Sequence, residues 1–279
     1  MRAGRAKLMI GGMLVAFITL MGLFAPILSM ADPSAQDLHA RLQPPVWTNK
    51  GTLAHPLGTD EFGRDVMSRM IHGTRISLVI GVASVVLSVG FGTAAGLLAA
   101  TAGRRTERSV LQLIDAQSAL PPVLLAIITA AVLGPSVPNL VLVLGITGWS
   151  LFARVVYAQT LSLRERDYVT AAQALGAGQT RILARHILPN LLGTLSVLAA
   201  LQVGHMILME SSLSFLGIGV PLSTPSWGGM LADSRKYLWI APWLTILPGL
   251  AIGVTVWGIS ILGDGLKERL GARNTTGLN

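Results

Sequence analysis

Residues 167–190 read DYVTAAQALGAGQTRILARHILPN and form a polar, basic island between two long apolar runs. An Arg or Lys side chain at the centre of a bilayer costs about 2.5–3.5 kcal/mol. The arginines in and beside the island are Arg164, Arg166, Arg181 and Arg185. Together they would cost on the order of 10 kcal/mol if the segment crossed the membrane. The island is therefore predicted to stay in water.

The island also has the pattern of short helices. Its apolar residues recur at helical spacing, first Val169, Ala172 and Leu175, then Ile182, Leu183 and Ile187. Gly176 and Gly178 predict a break between two helices, and Pro189 suits the first turn of the next one. The small residues Ala171, Ala172 and Gly176 leave a surface on which another protein can pack closely. The island is predicted to be a docking element.

Its pattern resembles the "EAA" loop of bacterial ABC-importer permeases. The match consists of Ala171-Ala172, three residues, Gly176, a spacer and Leu188-Pro189. The resemblance implies that the 164–190 loop forms coupling helices, which fit a groove on an ATPase subunit. These five matched residues are then the ATPase-coupling residues.

The pattern departs from that family at two positions. Thr170 stands where the family often has Glu, and His186 stands where it often has Ile. A second interpretation of the stretch alone is an ordinary basic loop that follows the positive-inside rule. The rest of the chain favours the docking interpretation.

Composition indicates a membrane protein. The chain has 279 residues, no Cys, 52% hydrophobic residues and 12% charged residues, whereas soluble domains carry about 25% charged residues. The net charge of +8 comes from residues that flank apolar runs, without interleaved exposed aromatics, so no nucleic-acid partner is expected. The absence of Cys excludes disulfide frameworks and Cys metal sites.

Six apolar runs are candidate membrane spans, since about 20 residues cross a bilayer. They cover residues 8–30, 76–100, 111–133, 137–157, 191–213 and 240–262. The first is longer than the apolar part of a signal peptide, which favours an anchoring span over a cleaved signal. Pro121-Pro122 is expected to kink the third. The segment 214–239, rich in Gly and Pro, is too broken to span. The chain is predicted to be an all-α membrane protein with six transmembrane helices.

The orientation follows from the basic residues. With the N-terminus in the cytoplasm and six spans, 14 of the 21 Lys and Arg residues lie on the cytoplasmic side, as the positive-inside rule requires. Both termini and the 164–190 loop are then cytoplasmic. This is the side on which ATPase subunits lie.

Residues 55–78, HPLGTDEFGRDVMSRMIHGTRISL, precede the second span. Thr59 or Asp60 is expected to cap an interfacial amphipathic helix. One face would hold Phe62, Val66 and Met70, and the other Arg64, Asp65 and Arg69. We expect this segment to pack and cap rather than to contact a ligand. The predicted divisions are residues 1–75 (first span and extracytoplasmic segment), 76–270 (permease core) and 271–279 (cytoplasmic tail).

Two further motifs narrow the resemblance. GTDxxGRDxxSR, at residues 58–69, and SFLGIGV with TPSWGGML, within residues 214–231, are similar to segments of the dipeptide/oligopeptide/nickel subgroup, on its C-type subunit. The resemblance implies a type I ABC importer permease fold in the bacterial cytoplasmic (inner) membrane. It also implies three kinds of partner: a second permease in a heterodimer, two ABC ATPase subunits and an extracytoplasmic substrate-binding protein. The implied cargo is di- or oligopeptides, with nickel or a metal chelate as the alternative.

No enzyme chemistry is visible in the sequence. It contains no Walker A, GxSxG or HExxH motif, so no cofactor is expected in this chain and ATP hydrolysis is assigned to partner subunits. An ATP-independent secondary carrier would need a relay of charges or broken helices in matched halves. Only Asp115 and Glu210 offer any such charge. A membrane enzyme would need a nucleophile or a metal cluster, and neither is evident.

Ionisable residues within spans are the candidates for the translocation path. Asp115 lies near the inner end of the third run, where pairing with Arg108 or with a neighbouring chain is the alternative. Glu210, followed by Ser211, lies near the outer end of the fifth run. It could attract the amine of a peptide at the outer mouth or serve a structural hydrogen-bonding role. His205 and Met209, four apart, are weak candidates for a metal contact, and packing is the preferred role.

Overall fold

The computed structural model describes residues 2–29, 31–221 and 223–276, with side chains described over residues 4–269 of these. Within this part the chain is helical and contains no β-strand. The helices of the first half are α1 (Arg2–Leu23), α2 (Ala25–Leu28), α3 (Val66–Thr101), α4 (Arg104–Ser118) and α5 (Pro122–Leu133). Those of the second half are α6 (Val137–Arg164), α7 (Asp167–Ala174), α8 (Gln179–Ile182), α9 (Leu188–Phe215), α10 (Trp227–Ser234) and α11 (Trp243–Thr276).

Five helices of the described chain are long and apolar enough to cross a membrane. They comprise α1, α3, α6, α11 and the continuous stretch from α8 to the end of α9. The predicted third span is different, because α4 and α5 meet at an angle of 91°. Their 15 and 12 residues reach about 22 and 18 Å, short of the ~30 Å apolar thickness. The chain has six spans only if this bent pair counts as one.

The two prolines account for this break. A residue before proline is pushed out of the α region, and Pro121 itself has extended backbone, with φ −57° and ψ 126°. Because Pro122 then occupies the first turn of α5, the helix restarts in a new direction. The sequence predicted the position of the interruption correctly. It predicted a kink, whereas the structure has a turn of about a right angle.

The α3 and α6 helices pack with their backbones in close contact at the centre of the molecule. A Cβ on Gly96 would lie 2.6 Å from the carbonyl oxygen of Ala153, so no larger residue fits there. Nearby, the buried Ser88 hydroxyl donates a 2.9 Å hydrogen bond to the Gly145 carbonyl. Small residues allow such approach in membranes, where packing and hydrogen bonds drive association.

The segment before α3 differs from the prediction. Asp65, rather than Thr59 or Asp60, caps the helix, and its carboxylate accepts a 2.7 Å bond from the Ser68 amide. No separate amphipathic helix exists there, because α3 runs unbroken from Val66 into the membrane. The predicted division at residue 75 therefore falls inside α3. The supposed water-facing residues Arg64, Asp65 and Arg69 are all buried.

The burial of Arg64 and Arg69 is explained by an ionic ring of four residues, Asp60, Arg64, Asp233 and Arg69. Arg64 contacts Asp60 at 2.6 Å and Asp233 at 3.4 Å, and Arg69 contacts the same two carboxylates at 3.5 and 3.6 Å. Burial raises the pKa of Asp233, and it likewise raises the pKa of the neighbouring Glu61. The ring fastens the segment before α3 to α10.

The last third of the chain closes the bundle. The predicted non-spanning segment 214–239 contains the short α10 and a 3₁₀ turn at Arg235–Tyr237. The Trp227 indole of α10 donates to the Met70 carbonyl at 3.1 Å. The α11 helix packs along α1, with Lys7 and Glu268 paired at their cytoplasmic ends. Because α11 continues to Thr276, the tail predicted from residue 271 begins inside a helix. Residues 277–279 of that tail lie outside the described chain.

We expect Gly96→Leu to destabilise the α3–α6 contact, because overpacking a tight interface costs about 1–3 kcal/mol. Gly90→Leu is the matched control, since a Cβ at Gly90 on the same helix meets no atom within 4 Å. Thermal unfolding of the detergent-solubilised chain measures both. Equal midpoints for the two variants would contradict the close-contact account.

Asp233→Ala is expected to destabilise the outer side of the protein. The change leaves Arg64 and Arg69 sharing one carboxylate, and breaking a buried ion pair costs about 3–5 kcal/mol. The same thermal measurement on Asp32→Ala, which removes an exposed carboxylate, should show a much smaller change. A midpoint for Asp233→Ala close to that of Asp32→Ala would rule out a structural ring.

Candidate functional site

The 164–190 loop folds into the two short helices that its sequence predicts. The first, α7, ends at Ala174, and the second, α8, begins at Gln179. Between them Gly176 has a φ of +82°, in the left-handed region that only glycine adopts without cost. The predicted break at Gly176 is therefore confirmed.

Three apolar side chains fix the loop to the body of the protein. Val169 and Ile187 have no exposed surface and Ile182 is 5% exposed. All three belong to the main core, together with residues of α3, α6 and α9. The loop is thus a seated element with a defined outer face rather than a flexible connection.

The outer face of the loop consists of small residues around one large apolar side chain. Ala171 and Gly176 are exposed and Ala172 is half-buried, as close docking requires. Leu175, however, does not share a buried face with Val169. It is the residue directly after α7, with a φ of −81° and a ψ of 7°, and its side chain is 89% exposed.

Leu175 is thus a candidate docking residue that periodicity alone assigned to the wrong face. The signal that marks it is the glycine that follows, because Leu175 is then the residue at which α7 gives way to the turn at Gly176. Such an exposed leucine on the cytoplasmic side lies outside the lipid. It is available to a protein partner.

Leu188 and Pro189 start the next span. Pro189 lies in the first turn of α9, as predicted. Residues Leu183–Ile187 form a π-helical turn just before it. Since proline has no N–H to donate to the preceding turn, local backbone pairing must change. The side-chain amide of Asn190 donates to the His186 carbonyl at 2.6 Å. From α8 to the end of α9 the chain is one continuous, slightly unwound helix.

Glu210 is buried on α9 instead of lining an open mouth in this chain. Its carboxylate accepts hydrogen bonds from Ser214 at 2.8 Å and from Ser226 and Ser211, each at 3.3 Å. Gly228 packs directly on this group, since a Cβ there would lie 3.1 Å from a carboxylate oxygen. These contacts join α9 to the start of α10. They provide the hydrogen-bonding environment that was the alternative for Glu210.

Of the other two path candidates, Ser211 donates a hydrogen bond to Glu210, whereas Asp115 lies apart from it. Ser211 lines an open, mostly apolar cleft of about 480 Å³ between the outer parts of α9 and α11. Asp115 is exposed on α4 and pairs with Arg154 of α6 at 2.9 Å, not with the expected Arg108. Because both members of that pair are more than half exposed, it contributes little stability.

His205 and Met209 do not share an environment. Both lie on α9, but His205 is exposed whereas Met209 is 7% exposed and packs in the main core. Over the described residues, no group of three His, Cys, Asp or Glu side chains could hold a metal ion. The geometry thus places Met209 in a packing position.

A bundle of five or six apolar spans with a seated, small-residue cytoplasmic loop defines a multi-pass transport protein rather than a soluble enzyme. The family model described as "Binding-protein-dependent transport system inner membrane component" matches residues 92–276. A second model, "N-terminal TM domain of oligopeptide transport permease C", matches residues 8–45. The chain belongs to the family of binding-protein-dependent transport system inner-membrane components.

Curated relatives cover nearly the whole chain. The chain is 42% identical to the di/tripeptide transport system permease protein DppC of Pseudomonas aeruginosa (strain UCBPP-PA14), over 94% of this chain and 86% of that protein. It is 38% identical to the dipeptide transport system permease protein DppC of Alkalihalophilus pseudofirmus, over 94% and 84%. With the oligopeptide transport system permease protein OppC of Bacillus subtilis the identity is 37%, again over 94% and 84%.

The fold is also found in a solved structure. A chain of the MetNI methionine ABC transporter, in inward facing conformations, matches with a TM-score of 0.59 at 17% identity. The match covers 71% of this chain and 94% of that chain. The architecture is therefore that of a type I ABC importer permease, as the resemblance implied.

We expect Glu210→Ala to destabilise the junction of α9 and α10, because three serine hydroxyls lose their acceptor at about 1–3 kcal/mol for each buried group left unpaired. Glu210→Gln retains one acceptor oxygen and should keep most of the stability. Thermal unfolding of both variants in detergent provides the comparison. Equal loss in the two variants would show that the charge, not the acceptor, is what the serines require.

Proposed function

We propose that this chain forms half of the translocation path of an ATP-driven importer of di- and oligopeptides, and that the 164–190 loop transmits the ATPase cycle to it. The observation that carries the proposal is the outer face of the loop. An 89% exposed Leu175 stands beside Ala171, Ala172 and Gly176 on an element that is anchored in the core. This face suits a groove on a cytoplasmic partner.

The physical work would come from that partner. The sequence carries no nucleotide-binding motif, so closure of two ATPase subunits would have to move this chain through a docked surface. Type I permeases have two bundles, and rocking of one against the other alternates access to the path. The proposed assembly contains this chain, a second permease, two ATPase subunits and an extracytoplasmic binding protein.

Peptides are the cargo that the relatives favour. The three relatives described above are named for di/tripeptide, dipeptide and oligopeptide transport. No observation on this chain favours nickel over peptides. Because the binding protein selects the cargo on a separate polypeptide, the direct measurement is uptake of a labelled dipeptide, with a nickel chelate as the competing cargo, by the reconstituted assembly.

Gly176→Arg tests the docking face. It places a long charged side chain on the proposed contact and is expected to abolish co-purification of the ATPase subunits while leaving membrane insertion intact. Gly103→Arg is the matched control. Gly103 also has a positive φ, of +95°, and open space around it, but it lies in the turn before α4.

The two variants carry the same charge, and each places arginine at a positive φ with open space around it. Loss of the ATPase subunits from Gly176→Arg alone supports docking at the loop. Full transport by Gly176→Arg would disprove it. Equal loss in both variants would assign the effect to backbone strain, and the docking face would again be rejected.

A further inference from the structure

Two side chains of the 164–190 loop reach back to the cytoplasmic end of α3. The Arg164 guanidinium donates to the carbonyl oxygen of Ala100, and the Gln179 amide donates to that of Thr101 at 3.1 Å. The last four carbonyls of a helix have no intrahelical partner. These donors therefore satisfy acceptors that the helix itself leaves open.

The two donors lie on either side of the docking face. Arg164 is the last residue of α6 and Gln179 is the first of α8, so they flank the docking face of Ala171, Ala172, Leu175 and Gly176 on both sides. A cation at a helix C-terminus is also favoured by the helix dipole. Both ends of the docking face are thus fixed to the end of one helix.

Part of the space between the loop and the end of α3 is open. A cleft of about 200 Å³ lies there, and its lining includes Thr101, Arg164, Gln173 and Gln179. Arg164 is half-buried, and Gln179 is exposed. The two hydrogen bonds cross this cleft to the last two residues of α3, while apolar side chains of the loop line another part of it. They connect both ends of the docking face directly to α3, in addition to the core packing of the loop.

The α3 helix extends from this cleft to the outer side of the protein. Its 36 residues span about 54 Å at 1.5 Å per residue. Near its other end Arg69 belongs to the ionic ring with Asp233, and close to its cytoplasmic end Gly96 packs against α6. A displacement of the cytoplasmic end therefore has a stiff path to the extracytoplasmic surface.

We propose that Arg164 and Gln179 are positioning residues that clamp the 164–190 loop to α3, so that the loop, α3 and α6 move as one body during transport. The proposal rests on the proposed function, because it needs ATPase subunits docked at the loop. The two hydrogen bonds at the end of α3 transmit the movement of the loop to that helix. Neither residue contacts cargo or nucleotide.

Covalent bridging tests the one-body claim. The chain has no Cys, so Thr101→Cys combined with Gln179→Cys can be bridged by a short, reducible bifunctional thiol reagent in an assembly with cysteine-free partners. Peptide uptake by proteoliposomes should be unchanged by the bridge if the two sites move together. Each single-Cys variant treated with the reagent serves as the control.

Arg164→Gln tests the clamp without a bridge. The ATPase subunits should remain bound, while peptide transported per ATP hydrolysed falls by at least about fivefold, the lower end of common coupling energies. Arg164→Lys keeps a charged donor and should restore most of the ratio. Arg105→Gln removes an exposed charge outside the loop and should leave the ratio unchanged.

The outcomes distinguish failure of the proposed function from failure of the clamp. If Gly176→Arg retains its ATPase subunits and full transport, the proposed function fails. If the ATPase subunits dock but the bridged pair stops uptake until the reagent is reduced, the loop moves relative to α3 and only the clamp is rejected. An unchanged transport-to-ATP ratio in Arg164→Gln would reject it as well. If Arg164→Gln does not assemble, the bridging result alone decides.

Discussion

The backbone contact between α3 and α6 is the constraint on which the rest of the structure depends. At Gly96 the two helices approach so closely that a Cβ would meet the Ala153 carbonyl at 2.6 Å. Lipid is as apolar as the helix surfaces, so the association relies on such packing and on bonds such as that from Ser88 to Gly145. This pair carries an ionic ring at one end and the 164–190 loop at the other. Because the α3–α6 pair is closely packed, the ionic ring and the 164–190 loop are attached to the same rigid element.

The chain uses arginine in two physically different ways. On the outer side Arg64 and Arg69 are buried, and they are tolerated because two carboxylates surround them. On the cytoplasmic side Arg166, Arg181 and Arg185 are exposed and need no partner beyond water. A buried ring resists opening because any single member left behind would be a desolvated charge. The exposed arginines bear only on which side of the membrane the loop occupies.

An importer subunit without a nucleotide site must receive movement through contact. The structure suits that role in that its docking face is small and exposed while its anchors are buried, so force applied at the face reaches the core. The family model covers residues 92–276 and a second covers residues 8–45. The ionic ring joins the segment between these matched regions to α10, which lies inside the first. The extracytoplasmic segment is therefore part of the same mechanical body.

The sequence by itself determined the membrane class, the positions of most spans, and the 164–190 loop with its break at Gly176. These follow from local quantities: the length of apolar runs, the cost of charge in lipid, and the backbone freedom of glycine. Only the tertiary structure decided that Arg64 and Arg69 are buried, that Glu210 is enclosed by serines, that Asp115 pairs with Arg154, and that Leu175 projects outward. Each depends on a partner distant in sequence or on the exact end of a helix, and hydrophobic periodicity carries neither. A polar residue reads the same whether its partner is water or a carboxylate 169 residues away.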